Sequence, residues 1–437
     1  MNIKNARICL LLAGLILIAG NLFSQNHAPE WRQRLKNYNI QPVLAVQAWS
    51  SYTIDEQVYN AEAEAYEPVD NRFNAQIRRT RIGFKAQPGE NFSFQVIAAL
   101  DLVGRDALTA HHGGTNNGSL PQFGLWNAWF QWRVLKGSEA LYLTGGYMPP
   151  QFGRESITAA LRVTSMEKAW SQRYVRGQLT GTNPGRATGV NLGGFFRKEQ
   201  QPLAISYDLG LFNPVFESYS GNSSGARYAP LATGRVSLHL GDPEFKRYTM
   251  SRKINYMSER RGLTLSVQGA TQGETDLFKA NYAVGTDLLF NWGPVNLDAE
   301  WSWLRRDGET LPNGVPERPF TATGQTGHVR LSYNINVANH YIVEPVVMLM
   351  QYRGATDAQG QKDAQLVRMA AGREQAIDAG LNWYFDPNFV LMLHYTHHSG
   401  EPGAAGDGAT VNDFFYQKET GPIQRGDWLG LGLTIFF

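Results

Sequence analysis

Six basic side chains stand in one stretch of the chain, Pro149–Thr188, and together they could hold anions. They are Arg154, Arg162, Lys168, Arg173, Arg176 and Arg186. Only Glu155 and Glu167 oppose them there, which leaves about four net positive charges. Arginine suits oxyanions because its planar guanidinium donates two parallel hydrogen bonds. In a narrow aqueous passage these charges would favour anions, since low-dielectric walls focus the field. The alternative is that the arginines pair with wall carboxylates or face a subunit contact.

The elements around this stretch must hold it in position. In those elements the sequence alternates between apolar and polar residues at every second position. The clearest case is the C-terminus, where leucine, isoleucine and phenylalanine occupy the odd positions of Leu429–Phe437, with Gly430, Gly432 and Thr434 among the even ones. This period predicts β-strands with one apolar and one polar face. We expect about sixteen strands, near residues 40–53, 71–86, 91–102, 124–135, 139–148, 189–197, 203–212, 231–240, 262–273, 282–292, 295–305, 325–334, 340–352, 374–385, 389–399 and 426–437.

The connections between these strands indicate a transmembrane barrel rather than a soluble sandwich. Some are tight, such as Trp292-Gly293-Pro294 and Phe385–Asn388. Others are long and polar: 102–122, 149–188, 213–230, 306–323, 353–373 and 400–426. Short periplasmic turns that alternate with long external loops are typical of outer-membrane barrels. Aromatic residues at strand ends and a final phenylalanine fit the same class. The sequence therefore predicts an all-β, antiparallel transmembrane β-barrel.

The N-terminus predicts export, and the overall charge excludes one class of partner. Residues 1–24 combine Lys4 and Arg7 with the apolar run Ile8–Ala19, as in a secretory signal peptide. We expect residues 25–39 to be a periplasmic lead-in and residues 40–437 to be the barrel. The chain has 40 basic and 38 acidic residues. Such a balance is unlike that of a nucleic-acid-binding protein.

The polar faces of the expected strands carry charges of both signs. Taken as lumenal, these faces provide the bases Arg79, Arg81, Lys85, Arg133, Arg235 and Arg330 and the acids Asp101, Asp208, Asp287, Asp298, Glu300 and Asp378. The acids of the later strands fall on one arc, so we expect a field across the pore. Arg78 and Arg79 can both face the lumen only if a β-bulge interrupts their strand.

Several segments, in order along the chain, resemble the phosphate-selective porin family (porins O and P). They are Arg78–Lys85, Gly145–Gly153, Thr164–Ala169, Pro184–Gly189, Gly210–Asn213 and Gly380–Met392. The resemblance implies a sixteen-stranded homotrimeric porin of the Gram-negative outer membrane whose third loop, here 149–188, folds into the pore. The family name also suggests a lysine-rich vestibule, but this chain has only ten lysines beyond the expected signal peptide, and they are scattered.

These observations favour a porin that passes small solutes passively and prefers anions such as phosphate through its arginine-rich loop. A general porin fits the wall charges equally well. A different alternative is a surface adhesion or binding barrel whose pore is closed or incidental. We expect no enzymatic activity, because no catalytic triad can be assembled from the sequence. We also expect no cofactor and no metal site.

Overall fold

The computed structural model describes residues 38–111, 123–182, 184–198, 201–214, 226–310, 318–338, 341–401, 416–417 and 420–437. The expected signal peptide, residues 1–24, lies outside the described residues, as does the lead-in as far as residue 37.

The described residues are mostly β-strands. The strands are β1 Gln41–Ile54, β2 Gln57–Asn60, β3 Ala65–Pro68, β4 Arg72–Ala86, β5 Phe92–Leu100, β6 Phe123–Arg133, β7 Tyr142–Met148, β8 Ala187–Arg197, β9 Leu203–Asn213, β10 Leu231–Gly241, β11 Arg261–Gln272, β12 Ala280–Trp292, β13 Val295–Thr310, β14 Arg318–Tyr333, β15 Ile335–Val337, β16 Tyr341–Arg353, β17 Arg373–Asp386, β18 Phe389–Gly400, β19 Tyr416–Gln417, β20 Gly421–Gln424 and β21 Asp427–Phe436. The helices are α1 Arg154–Ile157, α2 Ser171–Leu179 and α3 Ala358–Leu366, and a 3-10 turn covers Ala160–Arg162. No helix among the described residues is long and apolar enough to span a membrane.

Sixteen antiparallel strands close into a barrel, which confirms the predicted fold class. Each strand pairs with its neighbours in the chain, and β15 continues β14 along β16. The ring closes where β1 pairs with both β4 and β21. The remaining strands, β2, β3, β19 and β20, form a small separate sheet at the external end. Full closure leaves no unpaired edge among the described strands of the barrel, as a bilayer requires.

Side chains alternate between the two faces of the barrel wall. On β21, Leu429 and Leu431 are exposed on the outer face, whereas Trp428, Gly430 and Thr434 are buried on the inner face. Exposed aromatic residues, among them Trp292, Trp383 and Phe385, lie toward the strand ends. An apolar outer face with aromatic residues at its borders is suited to lipid.

Most connections have the predicted lengths, but two differ. Residues 293–294 and 387–388 join strands in tight turns, as predicted. The loop expected at 306–323 is shorter, because β13 extends to Thr310 and β14 begins at Arg318. The connection 242–260, at the end of the barrel that carries the short turns, is instead long. In this it differs from the tight turns at residues 293–294 and 387–388.

The described residues of the connection 149–186 lie inside the barrel and pack against one side of it. Its helix α2 contacts β12, β13, β14 and β16. Tyr174 of α2 stacks on Tyr352 with ring centroids 3.8 Å apart, and Phe152, Trp170 and Leu179 join the same buried cluster. Burying each large apolar side chain stabilises the fold by roughly 1.5–3 kcal/mol. The hydrophobic core therefore lies within the barrel and fixes the loop.

Residues 242–260 also fold into the barrel, from the periplasmic end. Tyr248, Arg252 and Ile254 are buried. The Tyr248 hydroxyl donates to Asp208 on β9, and the Arg260 Nη1 donates to Asn291 Oδ1 on β12 at 2.7 Å. Together, segments 149–186 and 242–260 fill the side of the lumen that faces β9–β17.

Candidate functional site

Arg154 anchors the start of the inserted loop in a buried network of ion pairs. Its Nη2 lies 2.8 Å from Glu244 Oε1, and its Nε lies 2.9 Å from Asp287 Oδ1. Glu244 belongs to the periplasmic segment 242–260 and Asp287 belongs to β12. Arg154 therefore ties the external loop, the periplasmic segment and the wall together. Its guanidinium charge is shared between two carboxylates and does not face water.

Glu155, the next residue, is bound by wall residues of β13 and β14. Its Oε1 accepts from Arg330 Nη2 at 2.8 Å, and its backbone N–H donates to Glu300 Oε2 at 2.9 Å. His328 Nε2 lies beside it, 2.8 Å from Asp298 Oδ2. Burial alone would raise the pKa of Glu155, but Arg330 and His328 outweigh burial and lower that pKa to about 2. Glu155 is therefore an ionised anchor.

Most of the other expected wall charges outside this anchor are also paired. Arg235 Nη1 lies 2.6 Å from Asp287 Oδ2, Asp378 Oδ1 lies 2.7 Å from His394 Nδ1, Arg133 Nη1 lies 3.5 Å from Glu139 Oε1, and Asp208 Oδ2 lies 3.7 Å from Arg252 Nη2. The acids of the later strands do share one arc, as the sequence suggested. They are covered by the inserted segments, so their charges are balanced by buried bases rather than by solutes.

On the opposite side, Arg78 and Arg79 both reach Glu167 of the loop. The pairing of β1 with β4 shifts register between Gln47 and Ala48, which makes Arg78 an extra residue. This is the bulge that two consecutive lumenal arginines require. Arg78 Nε donates to Glu167 Oε2 at 2.8 Å, and Arg79 Nη2 donates to Glu167 Oε1. Burial would raise the pKa of Glu167, but the two arginines lower it to about 2.

An open cavity of about 690 Å³ lies between the loop and the wall formed by β1, β4, β5 and β6. Its described lining includes nine basic residues: Arg78, Arg79, Arg81, Lys85, Arg162, Lys168, Arg173, Arg176 and Arg186. Asp101 is the one acidic residue of this described lining. The cavity is therefore strongly positive, although the whole chain is nearly neutral.

The structure brings together eight of the expected basic residues in this cavity. They are Arg162, Lys168, Arg173, Arg176 and Arg186 from the loop and Arg79, Arg81 and Lys85 from the wall. The structure places the other expected residues outside the described cavity lining: Arg154, Arg133, Arg235, Arg330, Asp287, Asp298, Glu300 and Asp378. These residues are buried or form local ion pairs instead of lining the described cavity.

Four loop cations in the cavity have lowered pKa values, and burial is the largest cause for each: Arg162, Lys168, Arg176 and Arg186. Lys168 Nζ donates to the Thr158 carbonyl at 2.7 Å. Burial, reinforced by the nearby Arg176, lowers the pKa of Lys168 well below its ordinary value. Burial and the neighbouring Arg79 lower the pKa of Arg176 to about 10. Arg176 therefore remains charged at neutral pH.

The phosphate-selective porin O and P family model matches residues 46–404 of this chain. The chain belongs to this porin family. It is accordingly a channel rather than an enzyme, and it resides in the outer membrane of a Gram-negative bacterium. No curated protein matches the porin.

Solved outer-membrane porins share the fold of this porin at low sequence identity. An anion-selective porin from Comamonas acidovorans is 10% identical, with 91% of this chain and 99% of that chain covered and a TM-score of 0.52. OprB from Pseudomonas putida is 8% identical, with 94% and 96% covered and a TM-score of 0.51. OmpF from Salmonella typhi, in complex with daunomycin, is 12% identical, with 91% and 97% covered and a TM-score of 0.50. Identities this low support the fold alone.

The sequence analysis of the porin did not identify three features of the site. It did not count Arg78 among the lumenal bases, because strict alternation places Arg78 outside. It also missed the segment 242–260 and its Glu244, although the gap between the strands expected at 231–240 and 262–273 was too long for a turn. It assigned Trp126 to the aromatic residues at the strand ends and gave no role to the ring of Phe436, although both rings contact cavity arginines.

Proposed function

We propose that this porin passes small anions in preference to cations, through the basic cavity between the inserted loop and β1–β6. The observation that carries the proposal is the described lining, with nine bases and one acid. A solute in this cavity is close to several cations and far from most of the wall acids. Low-dielectric walls focus such a field and raise the local concentration of anions.

The side of the barrel that the inserted segments cover supports the same proposal. If Asp287, Asp298, Glu300 and Asp378 faced water, they would offset the cavity bases and give a general porin. Each is buried in the structure. Glu155 and segment 242–260 cover this arc, so its acids are screened from the solute path. The electric field that a solute meets in the cavity is therefore set mainly by the basic residues of its lining.

Within anions, we propose small oxyanions, phosphate among them, as the preferred solutes. A guanidinium binds an oxyanion by two parallel hydrogen bonds, which chloride cannot accept in the same way. Arg162, Arg173 and Arg176 of the loop all line the cavity. The family description agrees with this class of solute.

The reversal potential of the purified porin in a planar bilayer, under a KCl gradient, tests the anion preference. We expect a potential displaced toward the chloride equilibrium value, and phosphate should reduce the chloride current. A large conductance without ion preference would indicate a general porin. A protein that inserts but does not conduct would indicate the adhesion barrel with a closed pore.

We further propose that residues 1–24 are a cleaved signal peptide and that the mature porin is a homotrimer. The charged and apolar segments of the N-terminus support cleavage, and the family resemblance supports the trimer. The intact mass of the protein from outer membranes should equal that of the chain starting near residue 25. Light scattering in detergent should give three times that mass.

A further inference from the structure

The cavity arginines are held in place by two different kinds of partner. Arg78 and Arg79 contact the Glu167 carboxylate, and Arg81 Nη1 lies 2.6 Å from Asp101 Oδ1. A carboxylate fixes a guanidinium in position, but it also cancels its charge. These three arginines therefore contribute less to the field than their number suggests.

Arg186 and Arg162 are held by aromatic rings. Arg186 Cζ lies 3.6 Å from the ring centroid of Trp126, and Arg162 Cζ lies 3.9 Å from that of Phe436. Within the part of the chain that the structure describes, no carboxylate oxygen forms a salt bridge with either arginine. An aromatic face attracts a cation through its quadrupole, but it carries no net charge. Both guanidinium groups are therefore fixed without being neutralised.

Trp126 contacts a second arginine as well. Arg81 Cζ lies 3.8 Å from its ring centroid. Two guanidinium groups cannot occupy one face of an indole at such distances, so the ring lies between Arg81 and Arg186. Asp101 balances the charge of Arg81, whereas Arg186 donates to neutral acceptors: its Nε donates to Asn127 Oδ1 at 3.3 Å and its Nη1 donates to the Pro184 carbonyl. The indole thus separates a paired arginine from an unpaired one.

The two rings lie near opposite ends of the cavity. Trp126 is near the external end of β6, and Phe436 is the last residue of β21, at the periplasmic end. An anion that crosses the cavity therefore meets an unneutralised guanidinium at each end. Between these two positions lie the carboxylate-paired arginines of β4.

We propose that Trp126 and Phe436 are positioning residues for ion selectivity, which hold Arg186 and Arg162 in the lumen while leaving their charges available to the solute. This inference rests on the proposed anion preference. It assigns the selectivity to the partners of the arginines and not only to the number of basic residues.

Substitutions that keep an apolar side chain but remove the aromatic face test the proposal. Trp126→Leu should lower the chloride-to-potassium permeability ratio at least about two-fold, because a cation–π contact of this kind is worth about a factor of two or more. Trp126→Phe retains a face and should keep most of the wild-type ratio. Trp303→Leu removes an exposed tryptophan of the outer face and should leave the ratio unchanged. The readout is the reversal potential in a KCl gradient, for porins that show the heat-modifiable mobility of a folded barrel.

A double-substitution cycle separates positioning from a general structural effect. Arg186→Gln should lower the permeability ratio about as much as Trp126→Leu, and the double variant should be little worse than either. Phe436→Leu repeats the test at Arg162, with Phe436→Tyr as the conservative variant. This pair replaces Trp126→Leu and Trp126→Phe if Trp126→Leu does not insert into the bilayer. An anion-selective wild type with unchanged ratios in Trp126→Leu and Phe436→Leu would overturn the positioning role. A wild type without anion preference would instead overturn the proposed function on which it rests.

Discussion

Arg154 and Glu244 enter the barrel from opposite ends and meet inside it, with Nη2 and Oε1 2.8 Å apart. Arg154 follows the external end of β7, whereas Glu244 follows the periplasmic end of β10. Both side chains are excluded from water, and Asp287 completes the network from the wall. This contact joins the two inserted segments on the side of the lumen opposite the basic cavity.

Breaking this contact should loosen the inserted segments. Arg154→Gln or Glu244→Gln removes one partner and leaves the other as a buried, incompletely paired charge, which typically costs about 3–5 kcal/mol. We expect a lower unfolding temperature and a larger, noisier single-channel conductance. Arg305→Gln, which breaks an exposed pair with Asp307, should change neither quantity. Wild-type conductance and stability in Arg154→Gln would contradict the role of the contact.

Glu167→Gln should change selectivity in the direction opposite to the loss of a cavity base. The amide keeps the size of the side chain but no longer cancels the charges of Arg78 and Arg79. We expect the chloride-to-potassium permeability ratio to rise. A falling ratio in a correctly folded variant would show that Glu167 acts only by holding the loop.

Acid should not reproduce the effect of Glu167→Gln between pH 7 and 4. The folded-state pKa of Glu167 is lowered to about 2 by Arg78 and Arg79, so its charge persists at pH 4, where an ordinary glutamate is substantially protonated. The stability that it provides is present above the unfolded-state pKa and is lost only as the pH falls toward 2. A change at pH 4 that disappears in Glu167→Gln would contradict this assignment.

Alkaline pH should weaken the anion preference through Lys168. Because burial lowers its pKa, Lys168 loses its proton at a lower pH than an ordinary lysine, and the cavity then loses one positive charge. We expect the permeability ratio of the wild type to fall, as the pH rises toward the ordinary lysine pKa, by more than that of Lys168→Arg, since arginine stays charged. Identical pH profiles of the wild type and Lys168→Arg would show that Lys168 does not contribute to the anion preference.

Gly185 controls the position of Arg176. It has a φ of +64°, and a Cβ at this position would lie 2.2 Å from Arg176 Cγ. Gly185→Ala should therefore displace the Arg176 side chain and alter conductance. Gly137→Ala introduces a similar strain at a φ of +75°, but no other atom lies within 4 Å of its added Cβ, so its conductance should stay that of the wild type. Equal conductance in both variants would exclude this role of Gly185.

The sixteen strands could be predicted because alternation depends only on whether each residue faces lipid or the barrel interior. The pairing of the charges could not be predicted in this way. Arg154 and Glu244 are 90 positions apart in the chain, and nothing local relates them. Alternation also implied a wet lumen, whereas Phe152, Tyr174 and Tyr352 form an apolar core inside the barrel. The β-bulge that turns Arg78 toward the lumen depends on Glu167 and on the pairing of β4 with β1.

The most direct test of the central claim compares the wild-type reversal potential in a KCl gradient with that of the double variant Lys85→Glu/Arg162→Glu. Both residues are exposed in the basic cavity. A unit charge about 4 Å from an ion in water is worth about 1 kcal/mol, or about five-fold in permeability. We expect an anion-selective wild type and a variant displaced strongly toward potassium. A variant with the wild-type potential would show that ions do not pass through this cavity.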